Sequence, residues 1–500
     1  MSLKLFNTLS RSVQEFAPLD PAQKKIGMYC CGPTVYDFAH IGNWRTFVFA
    51  DLVRRTLEFS GYDVQHVMNI TDIEDKIIKR VRENKTTLRE FTGRFEAAFF
   101  DDLKALNCRE PHVKPRATEY IAEIISLIEK LVTRGIAYKA SDGSVYFSIT
   151  KYQGCGCHYG QLLKLNFDEM RAGERVSADE YEKESVADFA LWKARVPDDG
   201  DIFWPSPFGE GRPGWHIECS AMSMKVLGES FDLHLGGEDL KFPHHEDEIA
   251  QSEGATGKPF VKYWLHGAHL LVEGKKMSKS LGNYFTLRDL QAKGFTGREV
   301  RYLLLTAHYR ETFNFTLEGL SGAKTALARI DECVGKLREA AANYKEAQEP
   351  ESEIIEQFTE ALDDDLNISR AWAVAFDWIR KKNTWLLTEL ATESESVHST
   401  VSKSPGPEKE AHMASILAAR EIRAAKAASA LATWNKINSV LGIGVKMESE
   451  IPVEIQALAD ARAEAKKAKN FKLADAIRDE LKAKGWVIED SPKGTKLKKI

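Results

Sequence analysis

The apolar positions near the start of the chain predict a strand, a helix and a second strand in succession. Residues 26–31 form a short apolar run that ends at Gly32-Pro33, which is typical of a buried strand. The next apolar residues fall on one helical face as far as Gly61, and residues 63–70 again have the pattern of a strand. Strand, crossover helix and strand open a Rossmann-like, doubly wound parallel sheet, so we expect an α/β fold that binds ligands at the carboxyl ends of its strands.

The periodicity changes twice further along the chain. Short strands, many glycines and a proline-rich exit predict an inserted connective domain, after which we expect the parallel sheet to resume near Trp215. Beyond Glu318 the pattern is almost wholly helical, apart from a predicted loose surface loop at residues 392–407. The tail predicts two helices that turn near Asn470, followed by an extended segment. The predicted domains are a catalytic domain (1–118 and 212–257), the inserted domain (119–211), a linking region (258–320), a helical bundle (321–445) and a small C-terminal α+β domain (446–500).

Composition and charge add few constraints. A chain of 500 residues is too long for one ordinary core, and its 43% hydrophobic and 29% charged residues are typical of a globular protein. The sequence has neither an apolar run of about 18 residues nor a secretory signal at its start, so we expect a cytoplasmic protein. A net charge of -5 does not exclude nucleic-acid binding, because lysines cluster locally in the C-terminal tail. Seven scattered cysteines favour metal binding or burial over a disulfide framework.

Two short segments have the composition of phosphate-binding loops. Residues 40–43, His-Ile-Gly-Asn, lie where the first strand meets the first helix, and free N–H groups at a helix start favour an anion. Residues 276–283 place two lysines in a glycine-flanked loop, and their ammonium groups suit the charge that develops when an α-phosphate is attacked. Either segment alone also fits an ordinary turn, but the pair indicates activation of a carboxylic acid by ATP. The ATP-binding candidates are His40, Gly42, Asn43, Lys276, Met277, Ser278, Lys279 and Ser280, with His40, Lys276 and Lys279 as the catalytic ones.

A third group of residues suits a metal ion. A helix that begins just after Pro243 would place His244 and Glu248 on one face, although a merely polar first turn has the same pattern. Softer ligands would come from Cys219 and from the end of the first strand. A set of two cysteines, a histidine and a glutamate suits zinc. Spacing alone leaves open the choice between Cys30 and Cys31, and between His244 and His245.

The remaining cysteines are weaker candidates for metal ligands. The segment Cys155-Gly156-Cys157-His158 looks like a metal clip, but its two cysteines are too close for the usual hook and no partner pair follows. A glycine-rich turn is the better interpretation. Cys108 and Cys333 are expected to be buried or incidental.

The paired loops resemble the signature segments of class I aminoacyl-tRNA synthetases, whose ideal forms are His-Ile-Gly-His and Lys-Met-Ser-Lys-Ser. The second segment matches fully, whereas Asn43 replaces the last histidine of the first and can hydrogen-bond but cannot carry positive charge. Residues 31–37, 69–73, 214–222 and 242–248 resemble the cysteinyl-tRNA synthetases in particular. That resemblance runs from Leu5 to the tail, with residues 392–412 as the exception.

The resemblance implies that cysteine and ATP, with Mg²⁺, form cysteinyl-adenylate, and that the cysteine passes to the 3'-terminal adenosine of tRNA(Cys). It implies a zinc ion on Cys31, Cys219, His244 and Glu248. It also implies a cysteine pocket that includes Gly32, Thr71, Trp215 and Asp239. Zinc can favour cysteine over serine because it lowers the thiol pKa and prefers sulfur, whereas apolar shape differences supply only about 1–3 kcal/mol. No segment requires an editing domain.

In such enzymes the helical bundle and the C-terminal domain hold the tRNA and its anticodon. The candidate anticodon contacts are Phe471, Asp475, Arg478 and Asp490. Leu473, Ile477 and Leu481 are expected to face a core. An aromatic ring that stacks on a base is worth about 1–3 kcal/mol, but a solvated charged helix has the same pattern.

Two other functions fit parts of the sequence. A ligase that joins cysteine to an amino sugar would share the catalytic motifs, but its acceptor needs no anticodon-type tail. A non-catalytic RNA-binding relative would not need the intact lysine loop or the complete zinc set. We therefore expect an aminoacylating enzyme, and a monomer.

Overall fold

The computed structural model describes residues 2–163, 188–342, 344–403, 407–444, 453–468, 470–491 and 494–499. Within these ranges the side chains of residues 390–412, 453, 489–496, 498 and 499 lie outside the described part. The chain forms two compact units, Met1–Ile443 and Gly444–Ile500, and each is described by itself. Among the described helices, none pairs the length with the apolar character that a bilayer span requires.

The strands and helices are numbered in chain order. The strands are β1 (Lys4–Asn7), β2 (Ser12–Glu15), β3 (Lys25–Cys30), β4 (Asp63–Met68), β5 (Ala137–Lys139), β6 (Val145–Phe147), β7 (Phe189–Ala194), β8 (Gly211–Pro213), β9 (Phe231–Gly237), β10 (Val261–Gly267), β11 (Leu270–Val272), β12 (Lys275–Lys276), β13 (Phe313–Phe315), β14 (Trp486–Ser491) and β15 (Gly494–Lys499). The α-helices are α1 (Ile41–Phe59), α2 (Asp75–Asn84), α3 (Leu88–Ala105), α4 (Ile121–Thr133), α5 (Ile149–Gly154), α6 (Trp215–Leu227), α7 (Glu246–Thr256), α8 (Leu287–Ala292), α9 (Gly297–Leu304), α10 (Leu317–Ala341), α11 (Ser352–Asp363), α12 (Ile368–Lys403), α13 (Pro407–Leu441), α14 (Val453–Lys467) and α15 (Phe471–Ala483).

A parallel sheet with strand order β10-β9-β3-β4 lies at the centre of the first unit. Helix α1 connects β3 to β4 and buries Trp44, Val48 and Leu52. The predicted strand, helix and strand are therefore confirmed, and with them the Rossmann-like α/β class. Because all four strands run the same way, the residues that follow them meet at one edge of the sheet.

The segment between α4 and β8 forms a separate antiparallel sheet, β5-β6-β7-β8, whose core includes Phe147 and Trp192. We expected the parallel sheet to resume near Trp215, and this expectation is wrong. Trp215 begins α6, and the next parallel strand begins at Phe231. All residues from Ile217 to Ser223 are buried, so α6 lacks the polar face by which a helix is normally distinguished from a strand.

Helices α10 to α13 form the bundle predicted beyond Glu318. The predicted loop at residues 392–407 is wrong for residues 392–403, which continue α12, and for Pro407, which begins α13. Serine and threonine disfavour a helix only weakly, glutamate favours one, and proline is tolerated at a first helical position because no N–H donor is needed there. Residues 404–406 lie outside the described residues.

The second unit packs α14 and α15 against the β14–β15 hairpin. As predicted, the helices turn at Asn470, whose side chain accepts from the N–H of Leu473 at 3.2 Å. Ile477 and Leu481 lie in the core, but Leu473 is 48% exposed, so its expected burial is wrong. The buried positions of α15 are 474, 477 and 481, and Leu473 lies one residue outside that stripe.

Candidate active site and metal centre

A cavity of about 350 Å³ opens at the carboxyl edge of the parallel sheet. The predicted site residues that line it are Cys31, Gly32, His40, Asn43, Trp215 and Asp239. Trp215 is 40% exposed, so its side chain is a cavity wall and not part of the core. Glu74, Asp37 and Tyr284 also line the cavity, and sequence patterns did not single them out.

Thr71 supports the cavity wall from behind. It is buried, and its hydroxyl accepts from Asn69 Nδ2 at 3.1 Å. Asn69 Oδ1 in turn accepts from the N–H of Gly32 at 2.8 Å. A Cβ at Gly32 would lie 1.6 Å from the carbonyl oxygen of Asn69, so the close approach of two backbone segments excludes every side chain at this position.

His40 and Asn43 form a reciprocal cap at the start of α1. His40 Nδ1 accepts from the N–H of Asn43 at 3.1 Å, and Asn43 Oδ1 accepts from the N–H of His40 at 3.1 Å. Because Nδ1 is an acceptor, a neutral His40 carries its proton on Nε2 and can donate from there. Burial lowers the pKa of His40, which favours this neutral form. Asn43 therefore caps the helix through hydrogen bonds alone, and this role needs no positive charge.

The two signature segments meet at the mouth of the cavity. Lys279 Nζ lies 2.8 Å from Oδ2 of Asp37. The ring of Tyr284 packs edge-on against that of His40, with 5.2 Å between ring centroids. A Cβ at Gly42 would lie 3.2 Å from Cε of Met277, which shows how closely the segments approach. The two signature segments, far apart in the sequence, are thus adjacent in the fold.

The lysine loop has its own supports. Asn283 Oδ1 accepts from the N–H of Ser278 at 2.8 Å, and the hydroxyls of Ser278 and Ser280 are 2.7 Å apart. Asn283 Nδ2 also donates to the carbonyl oxygen of Lys276 at 3.2 Å. The side chain of Lys276 is exposed, so both lysine ammonium groups remain accessible to a ligand.

The four predicted metal ligands come together below the cavity. The ligand atoms of Cys31, Cys219, His244 and Glu248 all lie within 4.8 Å of one another, and all four residues are buried. Glu248 Oε1 lies 3.1 Å from Nε2 of His244 and 3.7 Å from Sγ of Cys31. Helix α7 begins at Glu246, slightly later than predicted, but the two ligands still share a face. Two sulfur atoms, one nitrogen and one oxygen form a donor set that fits zinc.

A second, overlapping group consists of Cys31, His234, His245 and Glu248. His234 Nε2 lies 2.9 Å from Oε2 of Glu248, and His245 Nδ1 lies 2.7 Å from Nε2 of His266. This group offers one sulfur atom where the first offers two, so the first suits zinc better. His234 was missed by the sequence reasoning, although an ionisable residue in the buried strand β9 is an unusual signal.

The electrostatics of the cluster favour a bound cation. A hydrogen bond from Cys31 and the proximity of His244 lower the pKa of Cys219 to about 6, against the opposing effect of burial. Burial also disfavours the charged form of Glu248, but His234 and His244 outweigh it and lower the pKa of that carboxyl to about 2. Against the effect of burial, Cys219 and Glu248 in turn raise the pKa of His244 to about 10, so a protonated imidazole balances the buried thiolate and carboxylate, a role that a bound cation would take over.

The other candidates fall outside this site. Gly156 adopts a φ of 82°, and the Cys155–His158 segment is a turn, as predicted. Cys108 and Cys333 are buried, also as predicted.

In the second unit Phe471 is 63% exposed. Arg478 Nη1 lies 3.1 Å from Oδ1 of Asp475, so two candidate anticodon residues form a surface ion pair. The side chain of Asp490 lies outside the described part of the chain.

Family models match two parts of the chain. The model described as tRNA synthetases class I (C) catalytic domain matches residues 17–325. The model described as Cysteinyl-tRNA ligase anticodon binding domain matches residues 448–496.

Curated relatives match over the whole length. The cysteine–tRNA ligase of Chlamydia muridarum (strain MoPn / Nigg) is 46% identical over 505 residues, with 100% of each chain covered. That of Protochlamydia amoebophila (strain UWE25) is 44% identical, over 99% of this chain and 98% of the relative. Among solved structures, Mycobacterium tuberculosis methionyl-tRNA synthetase bound by methionyl-adenylate has a TM-score of 0.56 at 14% identity, covering 84% of this chain and 92% of that one, and supports the fold alone. The chain belongs to the cysteine–tRNA ligase family of class I aminoacyl-tRNA synthetases.

Proposed function

We propose that this ligase activates L-cysteine with ATP and Mg²⁺, forms cysteinyl-adenylate and transfers the cysteine to the 3'-terminal adenosine of tRNA(Cys). One observation carries the proposal. Cys31 belongs both to the buried ligand cluster and to the wall of the cavity that contains His40 and Asp37. The proposed thiol-binding centre and the proposed phosphate-binding edge would thus share one cavity, which suits a substrate that carries a thiol and a reacting carboxylate.

The side chains around the cavity have complementary roles in activation. The substrate carboxylate is already a nucleophile, so no side-chain base is needed. His40 donates from Nε2 to a phosphate oxygen, while Lys276 and Lys279 neutralise the charge on the α-phosphate and the departing pyrophosphate. Trp215 closes the side of the cysteine pocket, and Asp239 accepts from the substrate ammonium group or the ribose.

The proposed metal is zinc, held by Cys31, Cys219, His244 and Glu248. When bound, zinc would supply a soft Lewis acid that takes the substrate as its thiolate and so selects cysteine over serine. Glu248 is held on its other oxygen by His234. Glu248 would therefore keep a hydrogen-bond partner whether or not its other oxygen ligates the metal.

The remaining parts of the chain would hold the tRNA. We assign the helical bundle, residues 321–445, to the body of the tRNA and residues 446–500 to the anticodon. The catalytic domain is interrupted by the inserted residues 119–211. An anticodon-type tail argues against an amino-sugar acceptor, which offers no anticodon to bind.

Product analysis tests the assignment directly. The purified enzyme is incubated with ATP, Mg²⁺ and cysteine, and either tRNA(Cys) or a thiol-pathway amino sugar is added as acceptor. We expect cysteine-dependent exchange of pyrophosphate into ATP, and the formation of cysteinyl-tRNA with release of AMP and pyrophosphate, with no cysteine joined to the sugar. Ligation to the sugar would support the rival ligase, and an absence of exchange would support a non-catalytic RNA binder.

Replacement of Phe471 by alanine tests the anticodon contact. We expect Phe471→Ala to raise the KM for tRNA(Cys) by about tenfold, because the loss of one stacked base costs about 1–3 kcal/mol. Pyrophosphate exchange should be unchanged. Leu473→Ala is the matched control, since Leu473 is an exposed apolar residue of the same helix. Equal effects of the two substitutions on tRNA charging would contradict a stacking role.

A further inference from the structure

A chain of polar contacts connects the proposed metal ligand His244 to the inserted domain. His244 Nδ1 lies 2.7 Å from Nδ1 of His216, at the start of α6. His216 Nε2 lies 3.4 Å from Oδ2 of Asp247, and Oδ1 of Asp247 accepts from the hydroxyl of Tyr159. Tyr159 and Asp247 are almost completely buried, and His216 is largely so.

The proton positions along this chain of contacts follow from one another. An ionised Asp247 accepts a hydrogen bond from Tyr159 through Oδ1, and its other oxygen, Oδ2, lies at an ion-pair distance of 3.4 Å from His216 Nε2, which favours a proton on that nitrogen. A neutral His216 with its proton on Nε2 has a lone pair on Nδ1, so His244 must donate from Nδ1–H. Its other nitrogen, Nε2, faces Glu248 and would carry the lone pair when a metal ion replaces the proton there. This is the tautomer that metal ligation requires.

The Tyr159 end of the chain is fixed by the neighbouring carboxylate. Both oxygens of Glu246 accept backbone N–H groups, at 2.6 Å from Gly160, 2.9 Å from Gln161 and 3.0 Å from Leu162. Glu246 and Asp247 stand between the ligands His244 and Glu248 in the sequence. The same four residues therefore supply two metal ligands and two anchors to the inserted segment 159–162.

We propose that Tyr159 and Asp247 are positioning residues that hold His244 in its metal-binding tautomer through His216, so that the inserted domain helps to build the metal centre. The inference rests on the proposed zinc site. It assigns no contact with substrate to Tyr159 or Asp247, because both act through His216.

Zinc release from the full-length, zinc-loaded enzyme tests the proposal. The rate of metal transfer to excess chelator is measured for the wild type, Tyr159→Phe, Asp247→Asn and the control Tyr152→Phe. Tyr152 has a buried hydroxyl in the core of the same inserted domain, but that hydroxyl lies beside the Cys157 thiol. Visible absorption of the Co²⁺-substituted proteins reports the ligand geometry, and melting curves confirm that each variant is folded.

Asp247→Asn should release zinc about 10- to 100-fold faster, because an asparagine amide can donate to His216 and so reverse the tautomers of both histidines. Tyr159→Phe should release it about tenfold faster, and Tyr152→Phe within twofold of the wild type. Wild-type release rates in both Tyr159→Phe and Asp247→Asn, or an equal acceleration in Tyr152→Phe, would overturn the inference alone. A wild-type enzyme that holds no zinc would overturn both the inference and the proposed metal function.

Discussion

Replacement of Cys31 by alanine is expected to lower kcat/KM for cysteine activation by at least about 100-fold, since substitutions in the outer shell of a metal site already cost about 10- to 100-fold. Cys31 is the proposed ligand that also lines the substrate cavity. Its loss should therefore affect both metal retention and the binding of the substrate thiol. Serine activation, which gains nothing from a thiolate-binding centre, should change much less. The measurement is pyrophosphate exchange with cysteine and with serine, together with the zinc content of the protein.

Cys30→Ala is the matched control for this substitution. Cys30 is the preceding residue and is also buried, but its Sγ lies 3.6 Å from the carbonyl oxygen of Cys31, outside the ligand cluster. We expect near wild-type kinetics and a full complement of zinc. Equal losses in the two variants would mean that packing at the end of β3 matters and ligation does not. An unchanged preference for cysteine over serine in Cys31→Ala would contradict the proposal that zinc determines specificity.

Replacement of Lys279 by alanine is expected to reduce kcat for cysteine activation by about 100- to 1000-fold, the usual cost of removing one group that stabilises transition-state charge. In the resting enzyme Lys279 contacts Asp37, which lines the cavity. The ammonium group is thus held beside the place where ATP is proposed to react, on a side chain that remains largely exposed. The KM for cysteine should hardly change, because Lys279 does not belong to the ligand cluster at Cys31 that is proposed to bind the thiol. Pre-steady-state formation of the adenylate measures the step directly.

Lys275→Ala separates this effect from a general loss of positive charge. Lys275 is an exposed lysine in β12, immediately before the signature loop, and its backbone pairs with Val272. We expect less than a threefold change in kcat. If Lys275→Ala and Lys279→Ala behaved alike, the loop would act through its net charge and not through a positioned ammonium group.

The parts of the site that sequence reasoning found are those with a local signature. The strand, helix and strand around Gly32 follow from apolar periodicity, and the pairing of His244 with Glu248 follows from helical spacing. The choice between Cys30 and Cys31 does not follow from any local pattern, because both residues are buried. Which of the two thiols faces Cys219 depends on how the chain leaves the edge of the sheet. For that choice, resemblance to a family was needed.

The residues that sequence reasoning missed contact the site from other strands or from the inserted domain. His234 contacts Glu248 from a neighbouring strand, and Tyr159 contacts Asp247 from the inserted domain. Neither pair has a characteristic spacing in the sequence. The number of residues between two elements depends on the length of the loops and elements that connect them, so it does not reveal which side chains meet. The error at residues 392–403 has a different origin, since serine and threonine disfavour a helix only weakly and do not by themselves end one.

The tight crossing at Gly32 limits how this enzyme can be altered. Any side chain there would collide with the backbone of Asn69, so no substitution at this position can reshape the proposed cysteine pocket while the wall is kept. Trp215, by contrast, offers a large, half-exposed ring that lines the same cavity. Engineering the enzyme to charge tRNA with bulkier thiol or selenol amino acids should therefore begin with libraries at Trp215 and leave Gly32 invariant.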